Sequence, residues 1–297
     1  ATLNGTVNAN YLATTVTFEY GISAAYGQTV TSSQSPVSGN GITNVSADIS
    51  GLNPGTTYHF RVIAVNSAGT ANGNDLTFTT AVVPPTLTTT PVSNRTSTSV
   101  TTGGNITSDG GSSITAKGVC WATSPNPTIN DDYTIDGEGS GSFTSEIKCL
   151  DGGTTYYVRA YATNSEGTGY GEQESFTTQP SLITFNPDLT YGTVMDIDGN
   201  CYKTIQIGDQ TWMAENLKTS RYNDESPIPN VLDDEEWINL LERSYDPNTY
   251  ERIYEITGAF CWYNNDSATY DNEYGKLYNF GAAESSKLCP VGWHVPT

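Results

Sequence analysis

The sequence predicts a mainly β protein with two tandem β-sandwiches and a partial α+β domain at the C-terminal end. Three observations carry this prediction. One stretch of sequence recurs about 100 residues later, which is the size of a sandwich domain. Both copies alternate in side-chain character with the period of two that marks a half-buried strand. After Pro180 the amino-acid composition changes, and tryptophan, tyrosine and acidic residues become more frequent.

The recurring stretch is long and needs no gap to align. Residues 55–80 read GTTYHFRVIAVNSAGTANGNDLTFTT, and residues 153–178 read GTTYYVRAYATNSEGTGYGEQESFTT. About half of the aligned positions are identical. A period of this length is too long for a solenoid unit and fits one sandwich per repeat.

Each copy predicts a strand, a turn and a closing strand. The positions that share one face of the strand are Tyr58, Phe60, Val62 and Ala64 in the first copy and Tyr156, Val158, Ala160 and Ala162 in the second. A turn follows at residues 66–69 and 164–167, and the closing strands end on Phe78 and Phe176. Earlier strands are predicted around Phe18 and Val119.

The residues that lead into the long strand resemble a known corner. Leu52 to Tyr58 read LNPGTTY, which resembles the E–F corner of fibronectin type III-like (Ig-like) domains, with Tyr58 as the corner tyrosine. Tyr156 matches in the second copy, where Asp-Gly-Gly replaces Asn-Pro-Gly. Residues 118–121 (GVCW) resemble the variant common in surface proteins of the Bacteroidetes. The resemblance covers residues 1–179 and implies a bacterial cell-surface or extracellular protein.

The repeat predicts the domain boundaries. The first sandwich spans 1–80, a linker spans 81–85, the second sandwich spans 86–179, and the third region spans 180–297. Two prolines in the linker predict a short, semi-rigid joint. Residues 1–5 resemble the second strand of such a sandwich, so we expect the first domain to lack its first strand and to have an open sheet edge. Because the sequence begins with Ala1 rather than Met, we expect it to be part of a longer chain.

The third region predicts a hairpin and a helix. Strand-like residues 191–207 flank an Asp-Gly turn at Asp198. Asp196, Asp198 and Asn200 also imitate the start of a calcium loop, but Ile207 stands where the acidic twelfth ligand would be, which favours a hairpin tip. Further on, acidic residues at 233–236 precede Trp237, Leu240 and Leu241, a spacing that predicts a helix.

Several phrases of this region resemble one family in the right order. They are YGTV with DIDGN at 191–200, IGDQTWMAENL at 207–217, CWYNND at 261–266, YGKLYN at 274–279 and LCPVGWHVP at 288–296. The family is the Fibrobacter succinogenes major paralogous domain. The resemblance implies an extracellular domain with a mixed α+β, C-type-lectin-like fold. Family members normally continue past the last phrase, so we expect 180–297 to be an N-terminal part of such a domain.

The charge excludes some functions. The formal net charge is −20, with only 12 Lys and Arg residues among 297. Nucleic-acid binding needs clustered cations, so no nucleic-acid partner is expected. No apolar run is long enough for membrane insertion. The acidity indicates either solubility at a crowded surface or binding of a divalent cation. A glycan or a surface protein remains the expected kind of partner.

No set of catalytic residues can be recognised in the sequence, so we expect a protein that is not an enzyme. The histidines, His59 and His294, have no partners for a zinc site or a triad at readable spacing, and structural roles are expected for both. The five cysteines form no C-x-x-C pair. An enzyme of the formylglycine-generating fold is disfavoured because no usable cysteine pair is evident.

Two of the five cysteines fall in one sandwich. Cys120 and Cys149 are a possible disulfide, although their strands are predicted in different sheets. Of Cys201, Cys261 and Cys289, one or two are expected to pair with cysteines of the family's second half.

The candidate ligand site is the stretch from Trp262 to Glu273. It crowds aromatic rings, amides and carboxylates, the chemistry that recognises sugars. The candidate residues are Trp262, Tyr263, Asn264, Asn265, Asp266, Asp271 and Glu273. Calcium is possible at Asp266, Asp271 and Glu273, since hard cations prefer oxygen ligands; no other cofactor is expected. The alternative is that Trp262 and Tyr278 belong to the core and the polar residues to a surface loop.

Together these patterns predict a non-enzymatic extracellular or cell-surface protein. In this hypothesis the sandwiches are spacers that present a C-terminal interaction, or adhesion, domain. The alternative is a carbohydrate-binding accessory module in polysaccharide breakdown.

Overall fold

A computed structural model describes residues 1–181, 183–245 and 252–296, without the side chains of 241–245, 252–256 and 272–273. The chain divides into two compact units. The first comprises Ala1–Pro91, Thr102–Ser145 and Tyr157–Glu174, and the second comprises Val92–Thr101, Glu146–Tyr156 and Ser175–Thr297. Within the described residues, no helix has the length and apolar character needed to cross a membrane.

The first repeat forms a sandwich of two sheets. Its strands are β1 (Thr2–Asn8), β2 (Thr15–Gly21), β3 (Gln28–Thr31), β4 (Ile42–Asp48), β5 (Thr57–Asn66), β6 (Gly69–Asn72) and β7 (Leu76–Thr79). One sheet has the order β3-β2-β5-β6 with β7 also on β5, and the other pairs β1 with β4. Alternate side chains such as Leu3, Phe18 and Val45 fill the core between the sheets.

The second repeat forms a sandwich of the same design. Its strands are β8 (Thr86–Ser93), β9 (Val100–Ser108), β10 (Ala116–Ala122), β11 (Asp132–Tyr133), β12 (Gly141–Ile147), β13 (Thr155–Thr163), β14 (Thr168–Tyr170) and β15 (Glu174–Thr177). One sheet has the order β11-β10-β13-β14 with β15 on β13, and the other has the order β12-β9-β8. The mainly β fold class predicted from the sequence is confirmed.

Both sandwiches contain the predicted tyrosine corner. The hydroxyl of Tyr58 accepts a hydrogen bond from the backbone N–H of Asn53 at 3.0 Å, and that of Tyr156 accepts one from Asp151 at 3.0 Å. A threonine hydroxyl closes each corner by donating to the same residue's carbonyl, Thr80 in the first copy and Thr178 in the second, at 2.6 Å. The resemblance to fibronectin type III-like domains is therefore confirmed by geometry.

The segment 81–85 is hydrogen-bonded at Ala81 and Val83, within the first unit. Gly55 N–H donates to Ala81 O at 3.2 Å, and Val83 N–H donates to Gly110 O at 3.0 Å. The amide of Asn164 donates to Val83 O at 2.8 Å and to Asp109 O at 2.7 Å. A Cβ on Gly55, which has φ of +57°, would lie 2.3 Å from Gly111 O, so this close approach requires glycine. The joint is thus bonded rather than free.

The C-terminal region is a mixture of short strands and helices. Its elements are β16 (Gly192–Met195), β17 (Cys201–Ile207), β18 (Gln210–Met213), α1 (Asp234–Asn239), β19 (Leu241–Tyr245), β20 (Arg252–Ile256), β21 (Phe260–Cys261), a 3₁₀ turn (Tyr263–Asn265), α2 (Ser267–Tyr274), β22 (Leu277–Tyr278) and α3 (Phe280–Glu284). The predicted hairpin is present as β16 and β17. The predicted helix begins after its N-cap Asp233, whose carboxylate accepts from two backbone N–H groups. It ends before Leu241, which begins a strand instead.

The disulfide differs from the predicted pair. Cys149 is bonded to Cys201 at the start of β17, with a Cα–Cα distance of 5.2 Å. Cys120 is instead a buried thiol in β10, with its sulfur 3.4 Å from Pro127 O, and burial raises its pKa to about 11. The prediction of Cys120 with Cys149 is wrong because Cys149 lies beyond the end of β12, in the loop before the tyrosine corner. Among the described residues, Cys261 and Cys289 carry free thiols.

Candidate functional site

Trp262 serves the core of the C-terminal region rather than an exposed surface. Its ring packs edge-on against Phe260 at 5.4 Å between centroids, beside a buried cluster of Ile228, Phe260 and Leu288. Its indole N–H donates to Asp271 Oδ1 at 2.7 Å. Tyr278 packs against the same cluster. The arrangement matches the alternative interpretation of these two aromatic residues.

A buried lysine completes this cluster. Lys276 is 8% exposed, and its ammonium lies 3.1 Å from Asp271 Oδ1. The ammonium also donates to the carbonyl of Lys218 and lies over the rings of Phe260 and Trp262, at 5.3 and 5.6 Å from their centroids. Cation–π contacts and a carboxylate together compensate the loss of water around a buried charge. The Asp271 carboxylate is therefore committed to holding Lys276 and Trp262 in place.

The residues after Trp262 form a tight turn into α2. Asn264 and Asn265 adopt left-handed backbone with φ of 53° and 56°, a conformation that asparagine tolerates better than most residues. The Asn265 amide donates to Leu232 O at 2.6 Å. Asp266 caps α2 by accepting from Thr269 N–H at 3.1 Å, and hydrogen bonds from the Thr269 side chain and backbone lower the pKa of Asp266. Asn265 and Asp266 are thus engaged in shaping the turn.

Three tyrosines lie in a row on the surface that this turn and α2 form. We call Tyr263, Tyr270 and Tyr274 the tyrosine strip. Ring centroids are 5.2 Å apart for Tyr263 and Tyr270 and 5.8 Å apart for Tyr270 and Tyr274. Tyr263 is 57% exposed and Tyr274 is 52% exposed. Tyr274 was missed in the sequence, although its spacing of four from Tyr270 places both on one helix face. The strip thus exposes the rings of Tyr263 and Tyr274 on either side of the partly buried Tyr270.

The two predicted calcium ligands whose side chains the structure describes, Asp266 and Asp271, each have a partner within the protein. Asp266 caps a helix and Asp271 pairs with Lys276, while the side chain of Glu273 lies outside the described residues. In the part of the chain that the structure describes, no group of three or more His, Cys, Asp and Glu side chains is placed to hold a metal ion. Calcium at this site stays a prediction from the sequence.

The acidic turn between β16 and β17 is filled by protein donors. Asp196 accepts from the N–H groups of Asp198 and Asn200, each at 2.9 Å, and from the hydroxyl of Tyr202. Asp198 accepts from Ser220 N–H, Ser220 Oγ and Arg221 Nε, at 2.5, 2.8 and 2.6 Å. The sequence that resembles the start of a calcium loop therefore forms a hairpin tip, in which the carboxylates of Asp196 and Asp198 accept hydrogen bonds from the protein itself.

Asp198 should make stability depend on pH. Partial burial alone would raise its pKa, but the bonds from Ser220, Arg221 and Thr219 outweigh burial and lower the pKa to about 2. Because the folded pKa lies below the unfolded value of 3.8, this stabilisation is present above about pH 4 and is lost as pH falls toward 2. We expect a loss of about 2 kcal/mol, measured by urea unfolding between pH 5 and pH 2.

The matched variant for this test is Asp198→Asn, which cannot ionise. Its unfolding free energy should change less than that of the wild type over the same pH interval. An identical pH dependence in the two proteins would assign the acid sensitivity to other carboxylates.

The fold and the site define a modular, mainly β protein with paired fibronectin type III-like sandwiches and a mixed C-terminal segment. Residues 205–297 match the model of the family described as Fibrobacter succinogenes major domain. The match confirms, for this segment, the resemblance found in the sequence. A comparison with curated proteins finds no match to this chain.

Two solved structures that are similar to parts of the chain are a bacterial sensor domain and a set of domains from a chicken protein. The sensor domain of the anti-sigma factor RsgI4 in Pseudobacteroides cellulosolvens is 22% identical over 34% of this chain and 99% of that chain, with a TM-score of 0.26. The FN1–FN3 domains of chicken CNTN1 are 16% identical over 59% of this chain and 62% of that chain, with a TM-score of 0.26. At these values the similarities carry no argument about what this chain does.

Proposed function

We propose that this chain belongs to a non-enzymatic bacterial cell-surface or secreted protein. Its sandwiches act as spacers, and its C-terminal segment presents an interaction surface for adhesion. The Cys149–Cys201 disulfide supports an extracellular location, because such bonds persist in oxidising compartments and are rare in the cytosol. The fibronectin type III-like folds and the match of residues 205–297 support the same location and a non-catalytic role.

The spacer proposal rests on the bonds at two joints. One joint is the linker between the sandwiches, and the other lies between the second sandwich and β17. Between the sandwiches, Val83 and Asn164 tie the linker down through the hydrogen bonds described above. In the second unit, the loop before the second tyrosine corner is joined to β17 by Cys149–Cys201 and by an ion pair between Lys203 and Asp151. A spacer that holds a binding surface at a defined place needs restricted joints, which flexible linkers do not provide.

The direct test is a search for a ligand and for turnover on the same preparation. The full chain, immobilised through its N-terminus, is presented to a glycan array and to a panel of matrix and surface proteins. We expect reversible binding without chemical change of the ligand. Conversion of an array glycan to product would contradict the non-enzymatic proposal, and retention of no glycan or protein would contradict the adhesion role.

The second candidate function is carbohydrate binding in support of polysaccharide breakdown. The tyrosine strip favours it, because exposed rings can stack on the apolar faces of sugars while the Asn264 amide holds hydroxyl groups. Rigid aromatic side chains also provide contact area at low entropic cost.

If a glycan binds at the strip, Tyr263→Ala should weaken binding about tenfold or more, in the range of an aromatic hot spot. Because Tyr263 is exposed, the unfolding midpoint should stay nearly unchanged. Calorimetric titration with plant and host oligosaccharides, with and without calcium, measures the affinity. The matched control is Phe280→Ala, an exposed aromatic residue outside the strip. Equal loss in both variants, or none in Tyr263→Ala, would place the site elsewhere.

A further inference from the structure

A polar cleft lies within the second unit, beside the disulfide between Cys149 and Cys201. Its volume is about 750 Å³, which falls inside the range of about 300–1,000 Å³ that ligand pockets occupy. The loop between β8 and β9, the end of β12, the segment after β15, the hairpin tip before β17 and the residues after β18 all contribute to it. The described residues that line it include none of the tyrosine strip, so the cleft is a separate candidate site.

The walls of the cleft are held by bonds within the protein. Gln179 N–H donates to Thr96 O at 2.9 Å, and Leu150 N–H donates to Thr98 O at 3.0 Å. The hydroxyls of Thr96 and Ser99 lie 2.8 Å apart, which fixes the loop between β8 and β9. The disulfide ties the residues after β12 to the start of β17. A cleft with bonded walls loses less conformational entropy when a ligand binds than a flexible one does.

The lining is rich in groups that form hydrogen bonds. Serine and threonine hydroxyls and the amides of Gln179 and Asn200 line the cleft, and none of its described lining residues carries an aromatic ring. In the part of the chain that the structure describes, the side chains of Ser97, Thr98 and Gln179 make no hydrogen bond within the protein. These hydroxyl and amide groups are therefore available to a polar ligand.

The charged groups of the lining disfavour a charged ligand. Carboxylates and ammonium groups both line the cleft, and they belong to Glu146, Asp198, Glu215, Lys148 and Lys218. An acidic ligand would meet the carboxylates and a basic ligand would meet the ammonium groups, because like charges repel. The Lys148 ammonium lies 3.4 Å from the Glu146 carboxylate, so this pair offers a donor and an acceptor side by side. A neutral ligand that itself donates and accepts hydrogen bonds fits this lining best.

We propose that the cleft binds a short neutral oligosaccharide. Sugar hydroxyls both donate and accept hydrogen bonds, and they match the hydroxyls of Ser97 and Thr98, the Gln179 amide and the pair of Glu146 and Lys148. A few placed polar groups fix the orientation of a ligand in a pocket of this kind. The proposal shares a glycan ligand with the second candidate function, but it places that ligand on other residues than the tyrosine strip.

The experiment titrates the full chain with neutral trisaccharides in a calorimeter. The probes are cellotriose, xylotriose, mannotriose and maltotriose, with trigalacturonate and the chitosan trimer as acidic and basic comparators. At least one neutral trisaccharide should bind saturably, and both charged trimers should bind more weakly.

Two variants locate the binding in the cleft. Gln179→Trp fills part of the cleft with a large ring and should weaken binding at least about tenfold. Lys148→Met removes the ammonium donors but keeps most of the stem, and should weaken binding about tenfold, the share of one hydrogen bond to a charged group. The matched control is Gln28→Trp, the same change at an exposed position of β3, which should bind as the wild type does.

The proposal is overturned if none of the four neutral trisaccharides binds the wild-type chain, or if a charged trimer binds more tightly than all of them. Equal losses in Gln179→Trp and Gln28→Trp would also refute it. If Gln179→Trp fails to fold, Lys148→Met still decides, and unchanged affinity in that variant would place the glycan outside the cleft. Loss of binding in Tyr263→Ala but not in the cleft variants would assign the glycan to the tyrosine strip, which overturns the cleft and leaves the carbohydrate-binding function standing.

Discussion

Cys201→Ser should destabilise the second unit by about 3–4 kcal/mol, the largest effect we expect from a single substitution. The Cys149–Cys201 bond closes a loop with a sequence separation of 52 residues. In the chain-entropy model a loop of this length restricts the unfolded chain by about that amount. Thermal or urea unfolding should therefore show an earlier transition for the second unit, while the transition of the first sandwich should keep its midpoint.

The matched control is Cys261→Ser, which changes a half-buried free thiol of the same region. It should leave the transition of the second unit much closer to that of the wild type. Dithiothreitol should lower the stability of wild-type protein and have no further effect on Cys201→Ser. If the reductant destabilises Cys201→Ser as much as the wild type, the bond does not support the second unit.

Lys276→Ala should cost about 3 kcal/mol, because its side chain is only 8% exposed. The substitution removes a nearly buried ammonium from Asp271, from the carbonyl of Lys218 and from two aromatic rings. It also removes the apolar stem that packs beside those rings. Breaking a buried pair costs about 3–5 kcal/mol, and the partial exposure of Asp271 places the expectation at the lower end. Urea unfolding at pH 7 measures the change.

An exposed pair of the same residue types provides the comparison. Lys287 lies 2.7 Å from Asp224, but its side chain is 54% exposed. Such pairs contribute about 0–1 kcal/mol, so Lys287→Ala should be nearly neutral. Similar losses from Lys287→Ala and Lys276→Ala would mean that burial of the Lys276 ammonium does not govern its contribution.

Features that depend on short-range pattern could be predicted from the sequence. The alternation through Tyr58 to Ala64 predicts β5, because side chains of a strand alternate between core and surface. The corner tyrosines contact a backbone N–H only five residues before them. The Asp-Gly hairpin and the N-cap Asp233 are equally local signals.

Features that depend on distant contacts could not be predicted. Nothing near Cys149 specifies Cys201 as its partner, because the pairing depends on how a sandwich loop and β17 are placed. Similarly, Lys276 has the sequence appearance of a surface lysine, and only the packing of Phe260 and Trp262 makes it a core residue. The tyrosine strip could be predicted only in part. Helical spacing links Tyr270 and Tyr274, but Tyr263 joins them through the turn at Asn264, which the spacing does not indicate.

The joint at Asn164 has a consequence for how such proteins evolve. Asn66 occupies the same place in the first repeat, where its amide bonds to Thr14 Oγ1 at 3.1 Å. The hydrogen bonds that close each tyrosine corner are made inside its own repeat. A gene duplication that copied one whole repeat would deliver a linker at one end and a matching asparagine at the other. Arrays of this type can therefore lengthen or shorten by unequal recombination in steps of one sandwich.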